Sequence, residues 1–413
     1  MPSDHFVPSN IRQAPGLLDH HVESFVKRMQ EDGYAEYSVR RRRCVATSFA
    51  RWTRDRQVAT IDVDESQLAA FLQGSPPRSK NGVALERTAL RLFLRYLRAE
   101  GNVPLPPPRE CSSRVDELEQ SYVDYLRNAR GLTETSIHDY LPLVHNFLAD
   151  RLNGTGSPGA WDAGTIRDFL LDRIRNRSNE QMRLLATALR SFLRFTYFYG
   201  ETATDLSLSV PTVRRWRQAA VPGFLSPDEV ERVLSATDQS TSHGRRDYAI
   251  LLLLARLGLR AGEVVALEIG DIRWRTGEMV VRGKGRVLDR LPLLVDVGEA
   301  LALYLRRDRG DSTSRQVFLR MFAPHVGLAG PAAVGHIVRL AFSRAGLRPA
   351  TRGAAHLFRH SLATTMIRQG ASIPEIAEVL RHRSQSTTAI YAKVAFETLR
   401  GVARPWPGTG EAQ

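Results

Sequence analysis

The sequence predicts a mainly α-helical protein with one small β-hairpin, in which two tandem helical domains precede a larger domain. Three observations lead to this fold class. Apolar residues recur at helical spacing early in the chain, as in Phe25, Val26 and Met29. An eight-residue segment of helical character occurs twice, 99 residues apart. Two short apolar runs flank a Gly-Lys-Gly segment after Met279, a pattern typical of a hairpin.

The internal repeat defines the first half of the chain. Residues 88–95 read TALRLFLR and residues 187–194 read TALRSFLR, with one mismatch in eight positions. Gly101 and Gly200 follow the two copies and suit the C-cap of a helix, where positive φ is common. The sequence therefore predicts two helical domains of the same kind, residues 1–110 and 111–205.

A basic linker over residues 206–223 follows the second copy. It contains Arg214, Arg215 and Arg217, which we expect to contact a DNA backbone. Ser226-Pro227-Asp228-Glu229 then has the pattern of a helix start, with serine as the cap, proline at the first position and glutamate three residues after the serine. A third domain is therefore predicted over residues 224–413.

The predicted hairpin lies inside this third domain. Residues 279–282 and 287–293 are the two strands, and the glycines between them permit the positive φ of a tight turn. Lys284 is at the tip, where it is expected to enter a DNA groove and donate a proton. Arg286, beside it, is a candidate for binding DNA.

Five further side chains have the chemistry to hold and cut a phosphodiester. Arg260 and Arg359 carry permanent charge on planar guanidiniums, which bind phosphate oxygens bidentately. His382 adds a third hydrogen bond to the same oxygens. Tyr391 is a candidate nucleophile, but its free pKa of about 10 requires a base or a cationic field nearby. His356 is the candidate base, because it precedes Arg359 by three residues on one helical face.

These motifs resemble the tyrosine recombinase, or phage integrase, family over residues 224–400. The resemblance includes an Arg-x-x-Glu box whose Glu263 steadies the arginine, the hairpin lysine, a His-x-x-Arg box, and a tyrosine nine residues after the second histidine. Arg381 replaces the usual glycine, and we expect it to add a contact to a DNA phosphate. His360 has no matching role in the family and is predicted to be structural. The catalytic set implied by the resemblance is Arg260, Lys284, His356, Arg359, His382 and Tyr391.

The resemblance implies an enzyme that cleaves one DNA strand, holds it as a 3′-phosphotyrosine and passes it to the 5′ hydroxyl of a partner strand. The bond between the tyrosine and the DNA phosphate conserves the energy of the broken phosphodiester. No metal, ATP or other cofactor is therefore expected. The implied partners are double-stranded DNA recombination sites and a homotetramer or mixed recombinase assembly. Two alternatives stay open, an accessory DNA-binding member of a multi-recombinase transposition system and a type IB topoisomerase-like relaxing enzyme. Integration, transposition and resolution are equally open as biological roles.

Composition agrees with a protein that binds DNA. The 58 lysines and arginines exceed the 44 acidic residues and give a net charge of +14, although RNA and anionic membranes also attract basic proteins. Cys44 and Cys111 make neither a disulfide framework nor a zinc site. Neither a membrane-spanning run nor a secretory pattern is present, so a cytoplasmic, nucleoid-associated protein is expected.

The resemblance also assigns the helical domains. The second copy takes the place of the core-binding domain that grips the opposite face of DNA, and the first copy is an addition. This addition would bind further DNA, contact a partner recombinase or only pack against its neighbour. Its basic run favours DNA and comprises Arg40, Arg41, Arg42 and Arg43. A short helix is predicted over residues 396–403, with Phe396 and Leu399 facing a partner or packing within the chain.

Overall fold

The computed structural model describes residues 18–74, 80–106, 113–152, 157–174, 177–213, 223–283, 287–348 and 353–382, and the single residues 388 and 391. These residues form fifteen α-helices and a three-stranded antiparallel sheet, so the predicted fold class is confirmed. The chain divides into two compact units, Met1–Pro104 with Gln218–Gln413, and Leu105–Arg217. Among the described helices, none is long and apolar enough to cross a membrane.

The first helical copy has four helices around one aromatic core. Phe25 and Phe93 are buried there with their ring centroids 5.0 Å apart, and Phe49 lies in the same cluster. The periodic apolar faces noted in the sequence thus point inward, which is what makes these segments helical in the folded protein. The helices are α1 (Leu18–Glu31), α2 (Glu36–Asp55), α3 (Glu65–Gln73) and α4 (Lys80–Ala99).

The second copy repeats this arrangement of helices. Its last helix begins at a capping box formed by Ser178 and Gln181. Phe192 occupies the core position that corresponds to Phe93 in the first copy, and both are buried. Helices α4 and α8 both contain 20 residues, so the repeat of the sequence is also a repeat of structure. The helices are α5 (Arg114–Asp124), α6 (Glu134–Leu152), α7 (Ala163–Ile174) and α8 (Asn179–Phe198), with a π-helical turn at Tyr125–Ala129 after α5.

The third region is built around one helix whose central residues are fully buried. In this helix, α10, residues 249–254 are all inaccessible to solvent, because helices pack on every side of it. The predicted capping box at Ser226 and Glu229 is present and starts α9. The helices are α9 (Pro227–Ser235), α10 (Ser242–Arg256), α11 (Ala261–Ala266), α12 (Val295–Arg307), α13 (Pro331–Arg344), α14 (Ala354–Arg368) and α15 (Ile373–Val379).

The sheet contains the predicted hairpin. Strands β1 (Ile272–Arg273), β2 (Glu278–Arg282) and β3 (Leu288–Pro292) follow one another in order, and β2 and β3 pair antiparallel from Glu278 with Pro292 to Arg282 with Leu288. Alternate β2 side chains, Met279 and Val281, enter the core and hold the hairpin on the domain. The tip, residues 284–286, lies outside the described residues.

Candidate active site

The first arginine of the site lies two residues after a glycine with a positive φ and a close neighbour. Gly258 has a φ of +57°, and a Cβ added there would lie 2.8 Å from Cδ2 of Leu380. Glycine is therefore required twice, for its backbone conformation and for its lack of a side chain. The tight turn delivers Arg260 to the N-cap of α11, with the side chain 35% exposed.

A buried carboxylate fixes this arginine. The backbone N–H of Arg260 donates to Oε2 of Glu263 at 2.9 Å, and its Nη1 donates to Oε1 at 2.6 Å. Burial would raise the pKa of the Glu263 carboxyl, but the Arg260 hydrogen bonds and the charges of Arg381 and Arg260 outweigh it and lower the pKa. Glu263 is therefore an anion at neutral pH and holds Arg260 in place.

Arg381 is a second cation on the same carboxylate, and its position corrects an expectation from the sequence. Its side chain is only 6% exposed, and its Nη2 donates to Oε2 of Glu263 at 2.9 Å. Its Nε lies 3.9 Å from an oxygen of Asp289 on β3. We expected a DNA phosphate contact, but the buried charge of Glu263 draws the guanidinium inward. The residue adopts a φ of +55°, the conformation that suits a glycine.

Arg359 is buried and forms no ion pair with a carboxylate among the described residues. It lies on α14 with 3% exposure, and its two terminal nitrogens donate to the backbone carbonyls of Gly258 and Leu380. Burial and the nearby charges of Arg260 and Arg381 lower its pKa to about 10, so it remains a cation at neutral pH. A guanidinium has five N–H donors, and these two carbonyls take two of those on Arg359.

The charges around this cluster do not cancel. Among the described residues, the three guanidiniums of Arg260, Arg359 and Arg381 face two carboxylates, that of Glu263 and, 3.9 Å from Arg381, that of Asp289, which leaves one positive charge. Arg260 gives the cluster an exposed edge. The arrangement therefore favours an anion such as a phosphate, which would neutralise the excess charge.

Tyr391 is buried beside this cluster. Its side chain is 1% exposed and packs against Ile367, Ile376 and Leu380. Burial raises the pKa of the phenol to about 12, although the charges of Arg359 and Arg260 act in the opposite direction. The hydroxyl Oη lies 2.6 Å from Nδ1 of His360. A protonated phenol held by one hydrogen bond is the resting state of this residue.

Two histidines, His360 and His382, lie against the tyrosine and a third, His356, lies near the arginines; all three are neutral at pH 7. Burial, then the charge of Arg359 and the other arginines, lowers the pKa of His382 to about 4. Burial, then His356 and Arg359, lowers the pKa of His360 to about 4. The pKa of His356 is also lowered, first by burial. The ring of His382 stacks on that of Tyr391 at 6.5 Å between centroids, and its Nδ1 bonds Thr388 Oγ1 at 2.7 Å.

Most of the side chains chosen from the sequence meet at this site. The electrostatic interactions of His356 and His382 with Arg260 and Arg359 put both imidazoles within the same cluster. His360 was expected to be structural and instead bonds the tyrosine hydroxyl; the signal was its position four residues after His356 on one helical face. Seven residues assigned a role from the sequence lie outside the described residues, namely Lys284, Arg286, Arg214, Arg215, Arg217, Phe396 and Leu399.

The basic run of the first helical copy does not form one surface. Its four residues are consecutive on α2, where each step turns the side chain by about 100°. Each has a partner within its own domain: Arg40 pairs with Glu36, Arg41 with the Tyr37 hydroxyl, Arg42 with the Ser38 carbonyl and Arg43 with Glu23. DNA binding by this run remains a proposal.

A mainly helical domain that carries an arginine cluster, neutral histidines and a buried tyrosine is typical of enzymes that cleave DNA through a tyrosine. The model of the phage integrase family matches residues 223–398. A protein of Sinorhizobium fredii, y4rA, named as a candidate integrase/recombinase, is 40% identical over 405 residues and covers 97% of both chains. The chain therefore belongs to the phage integrase family of tyrosine recombinases, enzymes that cleave and rejoin DNA strands, which confirms the resemblance found in the sequence.

Other relatives and solved structures agree with this assignment. The tyrosine recombinase XerA of Thermococcus onnurineus is 31% identical over 287 residues, covering 69% of this chain and 94% of that relative. XerH bound to a palindromic difH substrate superposes with a TM-score of 0.56 and 20% identity over 71% of this chain and 84% of that one. A lambda integrase dimer bound to a COC' core site superposes with a TM-score of 0.51. Its sequence identity is 17%, and the match covers 72% of this chain and 97% of that one. The two structures show that the fold is shared.

Proposed function

We propose that Tyr391 is the nucleophile of a site-specific recombination reaction and that Arg260 and Arg359 clamp the scissile phosphate. The observation that carries the proposal is the excess of positive charge, with Arg260 at its exposed edge, beside a buried, protonated tyrosine. A phosphodiester would enter at the exposed edge of Arg260. The guanidinium N–H groups would then replace the water molecules that the phosphate oxygens lose on binding. The fixed cations would then stabilise the additional charge of the pentavalent transition state.

The chemistry proceeds by in-line displacement. Oη of Tyr391 attacks phosphorus and loses its proton, the bond from phosphorus to the 5′ oxygen breaks, and a 3′-phosphotyrosine remains. His382 would donate from Nε2 to a phosphate oxygen, since its Nδ1 is engaged with Thr388. The departing 5′ oxygen requires a proton, and Lys284 is the proposed donor because it falls between β2 and β3 in the sequence. Attack by the 5′ hydroxyl of a partner strand reverses these steps.

The proposed substrate is double-stranded DNA that carries recombination sites. Solved neighbours include XerH with a difH substrate, a lambda integrase dimer with a core site and a lambda integrase tetramer with a Holliday junction. By analogy, two sites and four protomers, identical or mixed, would assemble here, and the protein would be associated with the nucleoid. Residues 111–205 would act as the core-binding domain and residues 224–413 as the catalytic domain, joined by the basic linker 206–223. Residues 1–110 would add contacts to DNA or to a partner.

The test is the variant Tyr391→Phe, which removes one hydroxyl from the buried ring. We expect DNA binding to survive and the covalent protein–DNA adduct to disappear from a denaturing gel with a nicked suicide substrate. The matched control is Tyr122→Phe, which removes a buried tyrosine hydroxyl in the second helical copy and should leave adduct formation unchanged. An undiminished adduct with Tyr391→Phe would move the nucleophile elsewhere. If the unaltered protein binds its sites and forms no adduct, it is an accessory DNA-binding member instead.

A further inference from the structure

We infer that His360, rather than His356, is the catalytic residue that receives the proton of Tyr391 as its oxygen attacks the phosphate. The inference rests on the proposed function, which makes Tyr391 the nucleophile. It assigns the first proton transfer to a side chain that the motifs of the sequence did not select.

The geometry around the tyrosine hydroxyl carries the inference. Nδ1 of His360 and Oη of Tyr391 are 2.6 Å apart, a short hydrogen-bond distance for this pair of groups. The two rings are tilted by 59°, so a ring nitrogen and not a ring face meets the hydroxyl. Within the described part of the chain, no other side chain makes a hydrogen bond with this oxygen. In this inference the phenol is the donor, with the neutral imidazole accepting at Nδ1 and carrying its own proton on Nε2.

The two other histidines fit this role less well. The ring of His382 is nearly parallel to that of Tyr391, its Nδ1 is already bonded to Thr388, and it makes no hydrogen bond to the Tyr391 hydroxyl among the described residues. His356 lies one turn earlier on α14 and makes no hydrogen bond to Tyr391 among the described residues. His356 is left free to act near the phosphate.

The electrostatics explain why the proton stays on the tyrosine until DNA is bound. Burial, His356 and Arg359 hold the pKa of His360 at about 4, while burial raises the pKa of Tyr391 to about 12. A bound phosphate would offset the charge of Arg359 and thereby raise the pKa of His360. The phenolic O–H becomes strongly acidic as its oxygen bonds to phosphorus. The proton is therefore transferred to His360 during the attack.

The step is balanced as follows. The bond from Oη to phosphorus forms, the bond from phosphorus to the 5′ oxygen breaks, and the phenolic proton passes to Nδ1 of His360. The 5′ oxygen takes a separate proton from the leaving-group acid. When the partner strand attacks, His360 returns its proton to the tyrosine oxygen. The groups that face His360 during these events are His356 and Arg359 on its own helix, and Tyr391 and His382 from the segment that follows α15.

The experiment separates proton acceptance from positioning. His360→Asn keeps an amide oxygen near the place of Nδ1, which accepts a hydrogen bond but cannot take a proton at neutral pH. The substrates are ordinary DNA and DNA with a 5′-bridging phosphorothiolate, whose sulfur leaves without protonation. We expect His360→Asn to cleave about two to four orders of magnitude more slowly on both substrates. Lys284→Ala should be slow on ordinary DNA only.

The pH profile on the phosphorothiolate substrate is the second readout. Cleavage by the unaltered protein should reach a plateau above the pKa of the base in the DNA complex. Cleavage by His360→Asn should rise tenfold per pH unit, because free hydroxide then removes the proton. Melting temperature and DNA binding are measured for each variant, and His360→Gln replaces any asparagine variant that does not fold.

Three outcomes would overturn the inference. Cleavage by His360→Asn near the unaltered rate, with His360→Ala slow, would make His360 a positioning residue. Loss of the plateau in the matched variant His356→Asn, and not in His360→Asn, would assign the proton to His356. Rescue of His360→Asn by the sulfur substrate would place this residue on the side of the leaving group. An adduct with Tyr391→Phe would instead remove the proposed function itself.

Discussion

The two sides of the active site are held by different forces. The cation side consists of Arg260, Glu263, Arg359 and Arg381, and the nucleophile side consists of His356, His360, His382 and Tyr391. Ion pairs of 2.6 and 2.9 Å fix Arg260 and Arg381 on Glu263, whereas neutral hydrogen bonds and ring contacts hold the tyrosine. The cation side is thus charged before substrate arrives, and the nucleophile side avoids charge until that moment.

The largest effect is expected from Arg359→Ala, which breaks the cation side at its buried centre. The change removes one arm of the phosphate clamp and leaves the carbonyls of Gly258 and Leu380 without their donor. We expect single-turnover cleavage to fall by about three orders of magnitude or more, as for other arginines that stabilise phosphoryl transition states. Arg359→Lys, which keeps the charge and loses the planar fork, should also be impaired. A loss below tenfold for the alanine variant would mean that Arg359 does not contact the phosphate.

A smaller effect tests whether Arg381 tunes Arg260 through Glu263. In Arg381→Gly the glycine relieves the strain of the positive φ. Glu263 then has Arg260 as its remaining arginine partner and should hold the Arg260 guanidinium more tightly, away from the phosphate. We expect cleavage to fall about tenfold, which corresponds to about 1.4 kcal/mol. Because the two residues share one ion pair, Arg381→Gly and Glu263→Gln together should cost less than the sum of their separate effects. Arg381→Lys is the control that keeps the charge, and strictly additive losses would show that the residues act independently.

The smallest effect concerns the stability of the folded protein. The contribution of the nucleophile side to this stability is expected to depend on pH, whereas that of the cation side is not. His360 and His382 have a pKa of about 4 in the folded protein and about 6.5 when unfolded, so the unfolded chain binds more protons between these values. The contribution of the two residues to stability is complete above about pH 6.5 and is lost as the pH falls toward 4. The guanidiniums do not titrate in this window.

The measurement is the melting temperature between pH 7.5 and pH 5. The unaltered protein should lose more of its melting temperature than the double variant His360→Asn and His382→Asn, which has no imidazole at either position. Parallel curves would show that both histidines keep an ordinary pKa in the fold. Both proteins retain the high net positive charge, so general charge repulsion cancels in the comparison.

The features that could be predicted from the sequence are those that depend on the spacing of nearby residues along the chain. The repeated segments became α4 and α8, the glycine-flanked lysine lay between two strands, and the residues Arg260, His356, Arg359, His382 and Tyr391 came together. Contacts between residues that are far apart in the sequence could not be predicted from local spacing. His360 meets Tyr391 across 31 residues, and Arg381 turns inward only because Glu263 is buried 118 residues earlier. The close approach at Gly258 arises from Leu380, the C-cap residue of α15.

The two carbonyls bound by Arg359 also bear on how such chains tolerate change in length. One belongs to Gly258, 101 residues away, and the other to Leu380, 21 residues away, and each lies two residues before a catalytic side chain. A single guanidinium therefore sets the alignment of three motifs in space, whatever the length of chain between them. Doubling a flexible connection costs only about 0.6 kcal/mol in closure entropy. We expect insertions between these motifs to be accepted readily, so that searches with fixed motif spacing would overlook recombinases that keep the same alignment.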